Sequence, residues 1–470
     1  MEEYIKYVSD LINEESPERT KKFIEYVYKK LSTEFEEHLM NIFTVKENEI
    51  NQLQLYVPNA SVNKLYEYTL HLDLPTDIKT VEVSGLCVEV HGLEIKQIEG
   101  TSSFIIKGTP KQAGTFNIIV RYKFESLLKN KEYIERNIQI IINPDPRDLW
   151  KNIPVDWGNM PEPKYMKEDT ECEYILAPSL SDGTPQKDIV AASKRGRSHA
   201  QEGKPRDDHF KLKHMDNGWY IISVADGAGS AKFSREGSQI ACNTVVDYCQ
   251  SQLIDNKKFE ENIECYNEFK NDSESEARKI VGDDIYKIVG TAAFKAQQAI
   301  NKEANRQNLP AKMYATTLLL SICKKFSFGW FVASFWVGDG AICLFDKKSR
   351  TAKLLGIPDE GEYAGQTRFL TMPEIFKDAT ALYQRLRFNI VDDFTALFLM
   401  TDGVSDPMFE TDANLNNYDK WETLWDRLAN DKDNPVHLVD DNKESAIELL
   451  SWLDFWSPGN HDDRTIAILY

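Results

Sequence analysis

Acidic residues stand where strongly apolar runs of the sequence end. Asp-Gly closes such runs at Asp226-Gly227, Asp339-Gly340 and Asp402-Gly403, and Asp462-Asp463 opens another. Carboxylates that meet at the edge of a sheet repel each other, and a bound divalent cation removes that conflict. Oxygen ligands of this kind suit Mg²⁺ or Mn²⁺. The pattern therefore predicts a metal site at strand ends.

The apolar runs themselves predict strands. They cover 219–225, 330–337, 395–401 and 465–470, and they are rich in Val, Ile, Phe and Trp. Short runs of this composition, cut off by turn residues, are typical of strands whose two faces are both covered. For any one Asp-Gly taken alone, a hairpin turn is the favoured interpretation, because both residues tolerate positive φ. Asp182-Gly183 follows no apolar run, and we interpret it as a loop.

A further acidic pair, Asp207-Asp208, stands before another strand-like run, within RGRSHAQEGKPRDDHF (195–210). Together with Asp226, Asp402 and Asp462 it offers enough carboxylate oxygens to organise two cations, directly or through ordered water. Two cations about 4 Å apart can lower the pKa of a bridging water and neutralise a leaving oxygen, which predicts phosphate ester hydrolysis. No Ser-His-acid or Cys-His arrangement competes, and no histidine pair has the H-E-x-x-H spacing of zinc proteases.

Length and composition limit the interpretation further. A chain of 470 residues predicts two or three domains. The net charge of −19 argues against nucleic acid as a partner, since a basic stripe is missing. The seven cysteines are scattered without C-x-x-C spacing, which indicates buried thiols in a reducing compartment. The N-terminus lacks a signal-peptide pattern, and no apolar run reaches the roughly 18 residues of a membrane span, so we predict a cytoplasmic protein without a membrane partner.

The periodicity of apolar residues and the density of prolines predict four regions. These are a helical segment over 1–48, a β module over 49–145, a Pro-rich linker over 146–190 and a larger α+β domain over 191–470. Trp150 and Trp157 suggest that the linker is laid on a neighbouring surface. In the larger domain, helices are predicted after a cap at Ser234 and over 276–306, 418–430 and 442–456.

The front of the chain has two features. Ser16-Pro17-Glu18 predicts the start of a helix, and the apolar residues that follow at three- and four-residue steps predict one buried face. A helix that binds in the groove of a partner is the alternative for this face. Alternation over 49–145 predicts a small β-sandwich, and KGTPKQAGTFNIIVRYKF followed by RNIQIIINPDP resembles the closing strands of bacterial immunoglobulin-like modules. We expect this module to bind a protein partner or the larger domain. The helix positions are Phe23, Tyr26, Val27, Leu31 and Phe35, and the strands are expected at 68–72, 80–90, 103–106, 115–122 and 133–142.

In their order, the acidic motifs resemble the metal-dependent protein phosphatases of type 2C. The matching blocks are RDDHF (206–210), VADGAGSAKFSREGS (224–238), ATTLLL (315–320), VGDGAI (337–342), MTDGVSDP (400–407) and DDRTIAIL (462–469). The motif VADGAGSAKFS and the segment GEYAGQTRFL (361–370) are most similar to the bacterial subgroup. The resemblance implies an α/β/β/α sandwich with a dimanganese or dimagnesium centre between two antiparallel sheets.

The resemblance also implies roles for single residues. Asp226 would bridge both metals, and the carbonyl of Gly227 would bind one of them. Asp402 and Asp462 would complete the shell of the other metal. All three carboxylates would act in catalysis through a hydroxide that bridges the two cations.

Further roles lie around this centre. Asp207 and Asp208 would hold metal-bound waters, and Asp339, with Asp402 or Asp406, would be the ligand of a weaker third ion. Thr316-Thr317 would have a structural role beside the site.

The sequence departs from the family pattern at the phosphate-binding arginine, whose position is occupied by Gly203. Arg195, Arg197 and Arg206 are the candidates for its role, because a guanidinium fork suits phosphate oxygens, and we favour Arg197. A salt bridge at the surface is the alternative for each of them.

The chain also departs from the family beside two of the acidic residues. Ala228 stands where eukaryotic members often carry a histidine proposed as general acid. His199 is a conceivable substitute, and the alternative for it is a structural hydrogen bond. Asp463 replaces the usual asparagine, which should leave ligation through Asp462 intact.

These observations predict a protein serine/threonine phosphatase that acts on phosphoproteins. Two alternatives remain open. One is a catalytically silent, phosphatase-like scaffold, and the other is a partner-binding protein.

Overall fold

The computed structural model describes residues 6, 17–72, 78–124, 134–179, 183, 186–359 and 367–470. The predicted cap at Ser16, the residue Asp182 and the stretch 361–366 of GEYAGQTRFL lie outside these residues. The chain divides into two compact units, Met1–Leu149 and Trp150–Tyr470. None of the helices in the described residues is both long and apolar enough to cross a membrane.

The first unit combines a long helix with two small sheets that share one apolar core. One sheet has the strand order β1-β7-β6-β3 and the other the order β2-β5-β4. The resemblance of this unit to immunoglobulin-like modules stays a prediction. The elements are α1 (Pro17–Gln52), β1 (Ala60–Ser61), β2 (Tyr66–His71), β3 (Ile78–Ser84), α2 (Val88–His91), β4 (Leu93–Gln97), β5 (Ser103–Gly108), β6 (Gly114–Phe124) and β7 (Ile134–Asn143).

Helix α1 does not bury the face that its apolar spacing predicts. Phe23, Tyr26 and Phe35 are 39 %, 60 % and 56 % exposed. Among the described residues of the helix, only Ile50 at its C-terminal end belongs to the core of the sheets. The prediction of a continuous buried face is therefore wrong, because only the end of the helix reaches that core.

The second unit contains two sheets whose strands pair antiparallel throughout the described residues. Sheet A has the order β10-β11-β12-β13-β16, and sheet B has the order β15-β14-β17-β18-β9-β8. The strands are β8 (Thr170–Ile175), β9 (Ile189–Lys194), β10 (His209–His214), β11 (Trp219–Ala225), β12 (Leu318–Phe326), β13 (Gly329–Val337), β14 (Ala341–Asp346), β15 (Thr351–Gly356), β16 (Leu386–Val391), β17 (Ala396–Met400) and β18 (Arg464–Leu469).

Helices cover the outer face of each sheet. Helix α4 begins at Ser234, whose hydroxyl donates to the carbonyl of Ala231, while Phe233 occupies the cap position predicted for Ser234. The helices are α3 (Arg197–Glu202), α4 (Ser234–Leu253), α5 (Lys257–Glu268), α6 (Glu276–Ile285), α7 (Thr291–Arg306), α8 (Ala379–Tyr383), α9 (Asp402–Phe409), α10 (Tyr418–Asn430) and α11 (Ser445–Trp452), with a π-helical turn over Tyr286–Gly290 between α6 and α7.

Alternation along the strands builds the layers. In β11, Trp219 and Ile221 face the core under α4 to α7, whereas Tyr220 and Ile222 face the core between the sheets. The side chains of strand β17 alternate in the same way, between the core shared with sheet A and the core under helices α9 to α11. Because both faces of these strands are covered, they are apolar at every position, as predicted. The fold is α+β, with layers in the order α/β/β/α.

The stretch predicted as a linker belongs to the second unit from residue 150 onward. Strand β8 pairs with β9 at the edge of sheet B, and its residues are mostly half-buried, so it carries no apolar signature. The prediction that Trp150 and Trp157 lie on a neighbouring surface is confirmed. The Trp150 ring packs on that of His461 at 4.4 Å between centroids, and the guanidinium of Arg235 lies 5.8 Å from the Trp157 ring.

Candidate metal centre

Strand register brings the acidic residues of sheet A to one end. His209 in β10 pairs with Ala225 in β11. Since the strands are antiparallel, Asp207-Asp208 before β10 and Asp226 after β11 lie at the same end. Burial, followed by the charges of Asp402 and Asp208, raises the pKa of Asp226 well above its usual range.

The same arrangement holds in sheet B. Met400 in β17 pairs with Ile466 in β18. Asp402, which begins α9 directly after β17, therefore lies beside the turn that carries Asp462. The two sheets thus present their acidic residues at neighbouring strand ends.

Asp339 is part of this group, but the hairpin predicted for it is wrong. Strands β13 and β14 do not pair, because β13 belongs to sheet A and β14 to sheet B. Gly338-Asp339-Gly340 is the crossing between the sheets, and Gly338 has a φ of +116° there. Carboxylate oxygens of Asp226, Asp339 and Asp402 lie within 4.8 Å of one another.

Neighbouring threonines fix the backbone of Asp226. The Thr316 hydroxyl and the Thr317 N–H donate to its carbonyl at 2.7 and 2.8 Å, and its own N–H donates to the Thr317 hydroxyl at 2.9 Å. The structural role predicted for this pair is confirmed. Gly227 forms an isolated bridge with Thr316, and a Cβ on Gly227 would lie 2.7 Å from the Asp207 carbonyl oxygen.

Asp208 joins the two sheets through hydrogen bonds. Its Oδ2 accepts the hydroxyl protons of Thr401 at 2.9 Å and Thr465 at 2.7 Å, both from sheet B strand ends. Its Oδ1 is buried and has no hydrogen-bond partner among the described residues, and the same is true of Oδ1 of Asp339. Two acceptors thus remain for a ligand inside the cluster. The sequence prediction missed both threonines, although each stands next to an acidic motif, in MTDG and DDRT.

The crowding of carboxylates raises their pKa values. Burial, followed by the charge of Asp463, raises the pKa of Asp207 to about 6 and that of Asp208 to about 7. The pKa values of Asp226 and Asp402 lie well above the usual range, first through burial and then through neighbouring carboxylates. A bound cation would relieve this repulsion.

Asp406 and Asp462 are exposed, and the charges of both act on Asp402. Partial burial and the charge of Asp339 raise the pKa of Asp406 to about 6. Burial and then Asp463 raise the pKa of Asp462. The structure thus places every predicted acidic ligand in or beside one cluster.

Asp463 binds His199 within the same region. Nδ1 of His199 lies 3.0 Å from Oδ2 of Asp463, and both side chains are buried. Burial alone would lower the pKa of His199, but the charge and hydrogen bond of Asp463 outweigh it and raise the pKa to about 9. The structural hydrogen bond that was the alternative for His199 is present.

The candidate arginines are bound elsewhere. Arg195 donates to Asn152 and to the carbonyls of Ile153 and Lys204. Arg206 donates to Glu171 and to the carbonyl of Glu168, and its side chain is 1 % exposed.

Arg197, the favoured candidate, donates to Asp454 and to the carbonyl of Phe455, and it packs near the Trp456 ring. Its side chain keeps 24 % of its surface exposed. A phosphate-binding role for Arg197 stays a prediction.

A second acidic cluster, of Asp188, Asp440 and Asp441, differs from the first in how its buried carboxylate is hydrogen-bonded. Oxygens of Asp188 accept hydrogen bonds from Tyr174, from the N–H of Ala177 and from the N–H of Asp441. The protein itself therefore satisfies the buried carboxylate here, and the cluster offers no unpaired buried acceptor like those of Asp208 and Asp339.

Comparison with known proteins agrees with the fold and the cluster. A family model described as protein phosphatase 2C matches residues 195–441. The chain belongs to the protein phosphatase 2C family. The match covers the strand ends that carry Asp207-Asp208, Asp226, Asp339 and Asp402. The acidic residues in these positions fit divalent metal binding.

Solved structures show remote likenesses. RsbX in complex with magnesium is 15 % identical over 64 % of this chain and 100 % of that one, with a TM-score of 0.34. The catalytic domain of the serine threonine protein phosphatase PstP in complex with 2 manganese ions is 14 % identical over 64 % and 98 %, with a TM-score of 0.35. A sex determining protein of C. elegans is 13 % identical over 61 % and 65 %, with a TM-score of 0.38. Curated proteins gave no match.

Proposed function

We propose that the second unit hydrolyses phosphoserine and phosphothreonine in phosphoproteins, using two divalent cations, Mn²⁺ or Mg²⁺. The observation that supports this most is the convergence of carboxylates from both sheets, with oxygens of Asp226, Asp339 and Asp402 within 4.8 Å of one another. Bound cations of this kind lower the pKa of a coordinated water and neutralise charge on phosphoryl oxygens.

The donor set fits such cations. Oδ1 of Asp208 and Oδ1 of Asp339 are buried acceptors without a partner among the described residues. Hard carboxylate oxygens are the ligands that Mg²⁺ and Mn²⁺ prefer. The charges of Asp402 and Asp208 both act on Asp226, so we assign it as the shared ligand, with Asp462 and the Gly227 carbonyl completing the set.

The surrounding residues hold these ligands in place. Thr401 and Thr465 bind one oxygen of Asp208, which leaves its other oxygen turned to the cluster. Thr316 and Thr317 hold the backbone of Asp226. Buried His199, whose Nδ1 lies 3.0 Å from Asp463 and whose pKa is raised to about 9, keeps a proton near Asp462 at neutral pH. We therefore propose for His199 a role with the substrate's leaving group.

Hydrolysis of an aryl phosphate and of a phosphoserine peptide by the full chain tests the proposal, with Mn²⁺ added or chelated. We expect hydrolysis with added Mn²⁺, none with the chelator, and a loss of at least about 100-fold in Asp226→Asn, because one carboxylate would be removed from the shared position. Asp440→Asn, in the second acidic cluster, is the matched control and should keep full activity.

Two results would contradict the proposal. Activity that survives Asp226→Asn would remove the metal assignment. A folded chain that binds the phosphopeptide and hydrolyses neither substrate would favour the scaffold instead.

A further inference from the structure

Residues 150–169, here called the strap, contain no helix or strand but are fixed to the loops that carry the metal centre. Arg195 donates to Asn152 in the strap, and Arg235 donates to the carbonyl of Lys164 at 2.5 Å. Arg195 follows β9, and Arg235 lies in the first turn of α4, soon after Asp226-Gly227. The strap therefore contacts two segments that lead to predicted ligands.

Lys167 makes the most direct of these contacts. Its Nζ donates to the carbonyl of Asp208 at 2.9 Å, to the carbonyl of Arg235 at 3.1 Å and to the hydroxyl of Ser238 at 3.3 Å. A lysine ammonium has three N–H donors, and here each has an acceptor. The ammonium thus joins the turn before β10 to the first turns of α4.

Ser238 extends this link by one residue. Its hydroxyl donates to the carbonyl of Asp207 at 2.5 Å while it lies next to Lys167. The backbone carbonyls of Asp207 and Asp208 are therefore both fixed, one through Ser238 and one by Lys167 directly. Because the carbonyls are fixed, the direction in which the Asp208 side chain leaves the backbone is fixed as well.

We propose that Lys167 is a positioning residue of the metal centre, which holds Asp207-Asp208 in the geometry that binds the cations. The strap then contributes to the function of the second unit by positioning its metal ligands. The inference rests on the proposed function, because it needs a metal centre to position. Residues that orient metal ligands without touching the metal typically change metal affinity by about 10–100-fold when they are replaced.

Calorimetric titration of the metal-free full chain with Mn²⁺ tests the inference, together with the Mn²⁺ dependence of aryl phosphate hydrolysis. We expect Lys167→Met to weaken Mn²⁺ binding by about 10–100-fold. Excess Mn²⁺ should restore kcat, and KM for the aryl phosphate should not change at saturating Mn²⁺. Lys164→Met, which replaces a nearby lysine of the strap whose Nζ pairs only loosely with Glu162 at 3.6 Å, should match the wild type.

Each outcome supports or overturns a different statement. A folded Lys167→Met with wild-type Mn²⁺ affinity would overturn the inference while leaving the proposed function intact. If Lys167→Met does not fold, Ser238→Ala decides, since it removes the link to the Asp207 carbonyl and one of the three acceptors of Lys167. A several-fold weaker affinity supports the inference, and an unchanged one overturns it. A wild-type chain that binds no Mn²⁺ would overturn both proposals.

Discussion

Asp463 and His199 form a buried ion pair that ties together the first and last acidic motifs of the second unit. Oδ2 of Asp463 lies 3.0 Å from Nδ1 of His199 and also accepts the N–H of Asp207 at 2.5 Å, while Oδ1 accepts the N–H of Gly196 at 2.6 Å. One carboxylate thus holds the loop before β10 against the turn before β18.

Replacement of Asp463 by asparagine should destabilise the fold. An amide has a single acceptor oxygen, so a buried donor loses its partner, at a cost of about 1–3 kcal/mol in the free energy of unfolding. Urea unfolding measures the change, and Asp440→Asn, at an exposed position, should leave the midpoint unchanged. Equal midpoints for both variants would argue against the role given to Asp463.

The contribution of this pair should depend on pH. The folded pKa of His199, about 9, is above its ordinary value of 6.5, so its stabilisation is complete below pH 6.5 and is lost as pH rises through 9. Burial alone would raise the pKa of Asp463, but His199 and the two N–H donors outweigh it and lower the pKa, so its stabilisation is lost in acid. The difference between wild type and Asp463→Asn should therefore be largest from about pH 4 to 6.5 and shrink toward pH 9.

Mn²⁺ should stabilise the protein more at pH 8 than at pH 5.5. The pKa values of Asp207 and Asp208 are raised in the folded chain, to about 6 and about 7. The two groups therefore stabilise the fold while they are protonated, and this stabilisation is lost as the pH rises through 6 to 7. The metal-free chain should consequently melt at a lower temperature at pH 8, and Mn²⁺ should reverse the loss. Thermal melts with chelator and with Mn²⁺ measure this, and a Mn²⁺ effect of equal size at both pH values would speak against a carboxylate centre.

Asp402→Asn should separate stability from metal binding. Burial and the charges of Asp339 and Asp462 hold the pKa of Asp402 well above its usual range, so a neutral amide relieves repulsion in the metal-free chain. We expect a higher melting temperature without metal and no further rise with Mn²⁺. A variant that melts lower than wild type without metal would show that repulsion between these carboxylates does not limit the stability of the metal-free chain.

Gly403→Ala should disrupt the site, although alanine normally favours a helix over glycine by about 1 kcal/mol. A Cβ on Gly403 would lie 1.8 Å from the carbonyl oxygen of Asp463, so α9 and the turn before β18 would have to separate. We expect a loss of about 1–3 kcal/mol in unfolding free energy and weaker Mn²⁺ binding. Gly229→Ala is the control, since a Cβ there has no neighbour within 4 Å, and similar losses in both variants would contradict the steric explanation.

The sequence predicted well what depends on local pattern. The strands that precede Asp226 and Asp402 are recognisable because both of their faces are apolar, and the acidic residues follow them directly. The hairpin predicted at Asp339 was wrong, because the same Gly-Asp-Gly serves a hairpin or a crossing, and only the pairing of β13 and β14 with different sheets decides between them.

The contacts that the sequence did not predict involve hydrogen-bond partners that are distant in sequence. The guanidinium of Arg197 binds Asp454, 257 residues away, and that of Arg206 binds Glu171. No local pattern around these arginines indicates such partners. The prolines of the strap indicate an absence of regular structure, but they say nothing of the hydrogen bonds that Lys167 makes to distant backbone.

The apolar layer between sheets A and B would act as a spacer for the proposed metal centre. Asp226 extends from sheet A and Asp402 from sheet B, so the gap between them depends on how far the sheets are held apart, about 10 Å for packed sheets. Side chains such as Tyr220 and Leu399 fill that layer. In the proposed centre, the tolerance for a larger or smaller cation would therefore depend in part on the volume of core residues that do not contact the cation.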